Sequence, residues 1–326
     1  MYFPATGEAG FLSHMLSVLV RGGHAAQWRS HCLRQYRLSR VRYLALQMVA
    51  RGAPMESRTT TITTSRQNRR IVEARKLEQR KYRQRQGRFL VDGLQHLHMA
   101  LESSARPVEV FYCEELFVGT QAAVLLERFR QTDADLVPVS EHVMRALAQC
   151  SVPQGIVAAF ALYETSLQEL RLTGRELVVV LDRLKDPGNV GTLIRAADAV
   201  GAAAVILIKP CVDVFDPKTV RSSMGSLFNV PLVRTGDVAK LFGWLQRSGL
   251  RLVGTDVRQG VPWGRGLWEG GVALVLGNEA RGLSQDVRAH LENLAMLPMV
   301  GKAESLNVAV AGGVLMYVWL QVNLGG

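Results

Sequence analysis

The residues best suited to chemistry follow one of the most apolar segments of the chain. Val272–Leu276 is a run of five apolar residues, typical of a strand buried on both faces, and Gly277, Asn278 and Glu279 come directly after it. In an open α/β sheet, ligands bind in the crevice beyond the carboxyl ends of the strands. Glu279 therefore either takes part in a polar site there or only caps the helix that follows.

A second group of candidates lies near the C-terminus. A short apolar segment at residues 295–297 stops at Pro298 and predicts another strand. Ser305 is expected to cap the following helix, with Asn307 in its first turn. Asn307 is thus either a polar group of the site or a structural amide. The two strand ends and the capped helix are expected to face one cleft.

Arg195 is a third candidate, on a helix predicted to be capped by Thr192 and to end at Ala199. Its neighbours are small and apolar, so the arginine either extends to the surface or has a buried functional role. The preceding loop contains GNVG, whereas a dinucleotide-binding fold has G-x-G-x-x-G and an acidic residue after the next strand. That strand, at residues 203–208, ends without an acidic residue, which argues against a nicotinamide cofactor. A Walker A pattern is absent as well.

A domain of alternating strands and helices is predicted to position these residues. Apolar segments give about five strands, mostly parallel, at residues 177–181, 203–208, 250–255, 272–276 and 295–297. A smaller α/β domain with four strands is predicted before it, at residues 89–91, 108–111, 136–139 and 156–161. The predicted boundaries are a basic extension at 1–64, the small domain at 65–162, a linker at 163–175 and the second domain at 176–326.

Positive charge is concentrated in the first quarter of the chain. Residues 1–88 have a net charge of +14, whereas residues 89–326 have a net charge of −3. This asymmetry indicates a polyanionic partner, most often nucleic acid, although a solvated tail would look the same. The basic run at 65–88 favours a helix but has too few apolar residues for a buried one. The candidate nucleic-acid contacts in this run are Arg69, Arg70, Arg75, Lys76, Arg80, Lys81, Arg83 and Arg88.

Residues 1–54 show no clear pattern, so either Met55 is the natural start or this segment is a dispensable arm. The four cysteines are far apart and have no metal-binding spacing, which favours a reducing, cytoplasmic setting and no structural metal. No apolar run approaches the roughly 20 residues of a membrane span. A cytoplasmic protein without a membrane or metal partner is therefore expected.

Three segments taken in order are far more specific than any one of them. DPGNVGTLIRAADAVGA, LVLGNEARGLS and LPMVGKAESLNVAVAGGVLMY resemble the three signature motifs of the SpoU (TrmH-type) RNA methyltransferases of the SPOUT class. The resemblance covers residues 177–322. Residues 66–161, with RFLVDGLQHLHMAL and PQGIVAAF, are similar to the small substrate-binding domain that often precedes it, with Asp92 where relatives often have glutamate.

This resemblance implies a C-terminal SPOUT domain with a deep trefoil knot, a homodimer, and S-adenosylmethionine bound in the knot. The implied cofactor contacts are Gly277, Leu297, Leu306 and, less directly, Thr255. The implied reaction is methyl transfer to a ribose 2′-hydroxyl of RNA, without a metal. Arg195 would hold a substrate phosphate and stabilise the developing alkoxide, because a guanidinium stays protonated. Asn189, Glu279, Ser305 and Asn307 would position the ribose and Arg195.

Two other functions stay open from the sequence. The enzyme could methylate a base instead, although the SLN motif and the Asn189–Arg195 pair favour ribose. The chain could also be an inactive RNA-binding or ribosome-assembly protein that has kept the fold, against which the intact motif residues argue. By analogy with the family, the separate small domain favours ribosomal RNA over tRNA as the substrate.

Overall fold

The structure is a computed structural model in which residues 61–324 are described. The predictions about Met55 and nearly all of the extension at 1–64 lie outside the described residues. The described part contains two sheets, one of four strands and one of seven. The predicted α/β fold, in which a smaller domain precedes a domain with a large parallel sheet, is confirmed.

The small sheet has the strand order β1-β4-β2-β3. Its strands are β1 (Arg88–Asp92), β2 (Pro107–Tyr112), β3 (Asp135–Pro138) and β4 (Ile156–Ala161). β4 runs antiparallel to β1 and β2, whereas β2 and β3 are parallel. The helices around it are α1 (Arg69–Lys76), α2 (Arg80–Gln86), α3 (Leu94–Glu102), α4 (Gln121–Arg130) and α5 (Glu141–Leu147).

The basic run forms two helices rather than one, and the prediction that it has no buried face is wrong. Ile71 and Ala74 of α1 and Leu77 after it are almost fully buried, in the same apolar cluster as residues of α5. Three apolar side chains at helical spacing are enough to dock a short helix when the neighbouring element provides the rest of the core. The basic side chains of α1 are therefore displayed on a fixed element.

The large sheet has the order β7-β6-β5-β10-β8-β11-β9, and all its neighbouring strands are parallel. Its strands are β5 (Leu177–Asp182), β6 (Ala204–Ile208), β7 (Leu232–Thr235), β8 (Arg251–Thr255), β9 (Val261–Pro262), β10 (Val272–Leu276) and β11 (Asn293–Met296). Its helices are α6 (Pro187–Ala199), α7 (Pro217–Ser222), α8 (Val238–Arg247), α9 (Gln285–Arg288) and α10 (Val308–Asn323).

Both faces of the large sheet are covered, as the apolar runs predicted. Alternate residues of β5 point to opposite sides: Leu177, Val179 and Leu181 pack with α6 and α10, whereas Val178 and Val180 pack with α8 and α9. The sheet is wider than the five strands predicted, because β7 is short and β9 has only two residues. Neither gives a periodic signal long enough to read from sequence.

The small domain packs on the large one through aromatic side chains. The rings of Phe89 and Phe215 lie 4.6 Å apart, and those of Phe160 and Phe228 lie 5.6 Å apart. Tyr163, in the predicted linker, donates from its hydroxyl to the carbonyl of Leu227 at 2.6 Å. Burial raises the pKa of Tyr163 well above its usual value, so the hydroxyl stays a donor. A continuous apolar core therefore joins the two sheets.

Within residues 61–324, the helices are all too short or too polar to cross a lipid bilayer.

Candidate active site

Glu279 lies in a tight turn at the carboxyl end of β10. Asn278 and Gly282 exchange two backbone hydrogen bonds, of 2.9 and 2.8 Å, which close the turn. The Asn278 side chain donates to the carbonyl of Arg183 at 2.9 Å and so ties the turn to the loop after β5. The sequence therefore places a carboxylate where two neighbouring strands of the sheet end.

The Glu279 carboxylate accepts hydrogen bonds from that loop. The backbone N–H groups of Asp186 and Lys185 donate to it at 3.3 and 3.4 Å, and the Asn189 amide donates at 3.1 Å. Partial burial by itself would raise the pKa of Glu279, but the hydrogen bonds, chiefly those of its own turn and of Asn189, lower it overall. Glu279 is therefore an ionised acceptor at neutral pH.

Asn189 links Glu279 to the start of α10. Because an ionised carboxylate only accepts, the NH₂ group of Asn189 must face Glu279, which leaves its oxygen for another donor. Asn307 fills that role, with its Nδ2 donating to Asn189 Oδ1 at 2.9 Å. Residues from three segments that are far apart in sequence thus form one hydrogen-bonded chain, Glu279–Asn189–Asn307.

Asn307, not Ser305, caps α10, so the prediction for Ser305 as the cap is wrong. The Asn307 oxygen accepts from the N–H groups of Ala309 and Val310, at 2.8 and 3.3 Å, and the helix begins at Val308. Ser305 lies two residues earlier in an exposed segment. Asn307 satisfies the helix end with its oxygen and Asn189 with its amide nitrogen, whereas a serine would have to serve both through one oxygen atom.

Asp186 caps α6, which begins at Pro187, so the prediction that Thr192 is the cap is also wrong. The Asp186 carboxylate accepts from the N–H of Asn189 at 2.8 Å and from Nζ of Lys218 at 2.9 Å. The Lys218 contact, followed by the Asn189 N–H, lowers the pKa of Asp186. Sequence reasoning missed Asp186 and Lys218, although an Asp-Pro pair is a known helix-start signal.

The turn containing Glu279 is also held from its far side. Asp182, fully buried at the end of β5, accepts from the N–H and the hydroxyl of Ser284 at 2.6 and 2.7 Å. Arg183 forms a two-pronged ion pair with Asp286, at 2.8 and 2.6 Å, which lowers the pKa of Asp286 far below its usual range. These contacts fix the segment 277–284 against β5, and none of them was predicted from the sequence.

Helix α10 packs closely against α6 and β10 because residue 312 is glycine, which has no side chain. A Cβ at Gly312 would lie 2.5 Å from Leu193 of α6 and 2.6 Å from Leu276 of β10. This close packing brings the N-terminus of α10, and with it Asn307, beside the start of α6.

Arg195 is on α6 but outside the hydrogen-bonded chain. Six residues after Asn189, it lies about 9 Å further along the helix axis, on a different face. Its side chain is exposed, and within residues 61–324 it forms no ion pair and no side-chain hydrogen bond. The guanidinium is therefore free to bind an anion on its own face of α6.

Three predicted cofactor contacts lie together at one edge of the sheet. Thr255 ends β8, Gly277 follows β10 and Leu297 follows β11, and these three strands are neighbours in the order β10-β8-β11. Neighbouring strands are about 4.8 Å apart, so the three positions span about 10 Å. Leu306, the fourth, is 41% exposed just before α10. An apolar residue that remains so exposed beside a polar site is available to cover a bound ring system.

The space at Gly277 is closed by backbone. A Cβ there would lie 2.4 Å from the carbonyl carbon of Gly282 and 2.5 Å from the nitrogen of Leu283. Only glycine fits there, because the turn closes tightly on its own backbone. Apolar side chains and backbone groups are the partners that an adenosyl group requires. No cluster of His, Cys, Asp and Glu suited to a metal ion is present in the described part of the chain.

The predicted RNA contacts fall into three classes. Arg69, Arg75, Arg80 and Lys81 are exposed. Three others are engaged with carboxylates: Arg70 with Asp135 at 3.2 Å, Lys76 with Glu73 at 2.6 Å, and Arg88 with Glu109 at 2.9 Å. The Arg70 and Lys76 pairs are exposed or partly exposed, so they are weak and can be exchanged for phosphate contacts. Arg88 is paired with a carboxylate that is only 6% exposed, so its role is structural.

Arg83 does not fit the prediction of an RNA contact, because it is only 2% exposed. Its guanidinium donates to Asp213 at 2.7 Å and to the carbonyls of Leu77 and Glu78 at 2.9 and 2.7 Å. Asp213 follows β6, so this ion pair joins α2 to the large domain. A buried arginine needs a paired carboxylate and satisfied donors, and all are provided here.

Comparison with known proteins agrees with the motifs. Residues 176–317 match the SpoU rRNA Methylase family, and residues 68–158 match the MRM3-like substrate binding domain. The 23S rRNA (guanosine(2553)-2′-O)-methyltransferase RlmP of Bacillus subtilis is 31% identical over 78% of this chain and 96% of its own length. The 23S rRNA (uridine(2479)-2′-O)-methyltransferase of Streptomyces viridochromogenes is 31% identical over 77% of this chain and 88% of its own length.

Solved structures give the same picture. The AdoMet-bound rRNA methyltransferase from Sinorhizobium meliloti matches with a TM-score of 0.73 and 29% identity, covering 80% of this chain and 97% of its own. The SpoU methyltransferase AviRb from Streptomyces viridochromogenes, in complex with the cofactor AdoMet, matches with a TM-score of 0.73 and 30% identity. It covers 79% of this chain and 99% of its own.

Proposed function

Because this chain belongs to the SpoU rRNA methylase family, we propose that it is an RNA 2′-O-ribose methyltransferase that uses S-adenosylmethionine and acts on ribosomal RNA. The observation that supports this most directly is the Glu279–Asn189–Asn307 chain, which unites one residue from each of the three motifs. An RNA-binding protein that had lost its activity would have no need to keep these three polar residues in mutual contact.

The cofactor site we propose is formed by Gly277, Leu297 and Leu306, with Thr255 at its edge. When bound, S-adenosylmethionine supplies a methyl group already activated by a positive sulfur. The Thr255 hydroxyl already donates to the carbonyl of Val275 at 3.2 Å, so its role is to hold the strand end. Backbone groups of the 277–283 turn provide specificity without a buried charge.

The protein's task in the reaction is to place and activate a weak nucleophile. The Glu279–Asn189–Asn307 chain positions the ribose, and Ser305 lies on the exposed segment beside it. Arg195 binds a substrate phosphate and stabilises the negative charge that develops on the ribose oxygen, since a guanidinium does not give up its proton. A phosphate oxygen or a water accepts the proton of the hydroxyl. Positioning alone can account for much of the rate enhancement.

RNA binding is assigned to the exposed cations of α1 and α2. Arg69, Arg75, Arg80 and Lys81 are available directly, whereas Arg70 and Lys76 must first exchange their carboxylates. Arg88 stays paired with the buried Glu109 and is left out of this set. Arg83 is excluded from this set by its burial. The trefoil knot implied by the family stays a prediction, as do the cytoplasmic location, the linker at 163–175 and the domain boundaries.

The function is tested by incubating the full chain with labelled S-adenosylmethionine and unmodified ribosomal RNA or tRNA transcripts. We expect label in ribosomal RNA, on a ribose and not on a base. Mapping of 2′-O-methyl positions in cells with and without the gene should then show one site that depends on it. Label on a base, or none in any RNA from protein that binds the transcript, would contradict the proposal.

We further propose that the protein is a homodimer through α10. Val310, Val314, Tyr317 and Leu324 are exposed apolar residues spaced four, three and seven apart, so they lie on one face of the helix. This face is continuous with the N-terminus that positions Asn307. A second copy seated here would place its own residues beside the active site, as the family resemblance implies.

Val314→Glu is expected to weaken this dimer by about 100-fold or more. Each tenfold loss of affinity corresponds to about 1.4 kcal/mol, and burying an unpaired carboxylate at the interface costs more than two such steps. The control is Val118→Glu, an exposed valine of the small domain. Sedimentation velocity across a concentration series should show a monomer for the first variant and a dimer for the second. Equal masses for both variants would refute the α10 interface.

A further inference from the structure

A second polar feature lies on the same edge of the large sheet as Glu279. A cavity of about 390 Å³ opens beyond the ends of β6 and β7, between residues 164–168 and the first turn of α8. We call it the β6–β7 cavity. β6 is next to β5 in the sheet and neighbouring strands are about 4.8 Å apart, so the cavity lies about 5–10 Å from the end of β5 and about 10–15 Å from the end of β10.

The β6–β7 cavity has an excess of available positive charge. Lys209, Arg234 and Lys240 line it, together with two carboxylates. Both carboxylates are engaged: Glu164 pairs with Arg234, and Asp237 caps α8 by accepting from the backbone N–H of Lys240 at 2.9 Å. Lys209 and Lys240 are exposed, and no carboxylate between residues 61 and 324 lies within ion-pair distance of either.

Arg234 is held in a position that favours an anion. Its side chain is only 20% exposed, and the positive charge of Arg80, from α2 of the small domain, acts on it. Burial and then the charge of Arg80 lower the pKa of Arg234. Glu164 offsets one of these two like charges, and a bound anion would offset the other.

The approach of Arg80 is a fixed part of the fold. The buried Arg83–Asp213 pair, one turn further along α2, fastens that helix to the loop after β6. The ten-residue helix α8 adds the positive end of its dipole at the cavity. Lys218 of α7 also lies on this edge of the sheet, where it is paired with Asp186 at 2.9 Å. Cations from two domains thus line one edge of the sheet.

The lining residues decide what kind of group fits. None of them is aromatic, so the cavity offers no surface on which a base could stack. Thr165, Ser166 and Thr235 provide small hydroxyls, which bind phosphate oxygens. At about 30 Å³ for a water molecule, the volume accommodates a phosphate group with several waters.

We propose that the β6–β7 cavity is a second RNA subsite, which binds a backbone phosphate of the strand whose ribose lies at Glu279–Asn189–Asn307. This inference rests on the proposed function. It adds the large domain itself to the RNA-binding surface, through Lys209, Arg234 and Lys240. The substrate strand then runs along the carboxyl edge of β5, β6 and β7, toward the exposed cations of α2.

The test compares two double variants of the full chain that remove the same charge. Lys209→Gln/Lys240→Gln changes the cavity, and Arg175→Gln/Arg247→Gln changes two exposed arginines at the amino edge of the same sheet. The probe is an unmodified 23S rRNA transcript, and its Kd is measured over a range of salt concentrations. S-adenosylmethionine affinity and thermal unfolding are measured in parallel to confirm that each variant is folded.

For the cavity variant we expect RNA binding about tenfold weaker at low salt, with the slope of log K against log salt reduced by about 0.7 for each lost phosphate contact. The control variant should stay within about twofold of the wild type, since its arginines lie outside the path. Equal Kd values and slopes for the two variants, with a wild type that binds and methylates RNA, would refute the subsite alone. A wild type that neither binds nor methylates RNA would refute the proposed function, and the subsite with it.

Discussion

Arg195→Ala is expected to reduce methyl transfer by about 10²–10³-fold, the effect of removing one preorganised charge donor from a developing oxyanion. The affinity for S-adenosylmethionine should change by no more than a few-fold, because Arg195 lies on an exposed face of α6, away from Gly277 and Leu297 at the ends of β10 and β11. Single-turnover rates at saturating RNA separate this effect from weaker RNA binding.

The matched control is Arg247→Ala, an exposed arginine near the end of α8 at the opposite edge of the sheet, for which turnover should be unchanged. Arg195→Lys should recover only part of the rate, since an ammonium keeps the charge but not the two-pronged geometry. Near-normal turnover of Arg195→Ala would remove Arg195 from the mechanism. A loss confined to RNA affinity would leave it a binding residue only.

The elements around the site could be predicted because their signals are local. β5 and β10 each contain a run of five apolar residues bounded by polar or glycine residues, and such runs are typical of strands buried on both faces. The three family motifs then predicted which strand ends carry the residues of the site. Short strands such as β9, with two residues, have no such signal and were missed.

The contacts within the site could not be predicted from local signals. The Asn189–Glu279 and Asn189–Asn307 hydrogen bonds join residues 90 and 118 positions apart. The family motifs named these residues without saying which touches which. Asp182 and Ser284, 102 positions apart, were not suspected at all. These residues come into contact only when the fold brings the ends of their strands together.

Helix caps and buried arginines show how tertiary structure overrides local preference. Both Ser305 and Asn307 are good caps, and the choice of Asn307 depends on Asn189 nearby. In the sequence Arg83 cannot be told from its exposed neighbours, yet it is buried in an ion pair with Asp213, 130 positions away. The same ion pair explains why the small domain is fastened to the large one at α2.

Gly277→Val should abolish detectable S-adenosylmethionine binding, with Kd raised by about 100-fold or more, equivalent to about 2.8 kcal/mol. The added Cβ alone would lie 2.4–2.5 Å from the backbone of Gly282 and Leu283, and backbone cannot move aside as a flexible side chain does. The 277–283 turn must therefore shift, and the amides proposed to hold the adenosyl group shift with it. Overpacking of this kind also lowers stability by about 1–3 kcal/mol.

Gly277→Ala is the graded variant, since it adds only the clashing Cβ, and calorimetric titration with S-adenosylmethionine measures both. Gly243→Ala is the control: its Cβ would meet only the flexible end of Arg247 at 3.3 Å, inside α8, where alanine favours the helix by about 1 kcal/mol. Circular dichroism establishes that each variant is folded. If folded Gly277→Ala binds the cofactor as tightly as Gly243→Ala, the cofactor does not lie against this turn. The polar chain at Glu279 would then have to act on a methyl donor held elsewhere.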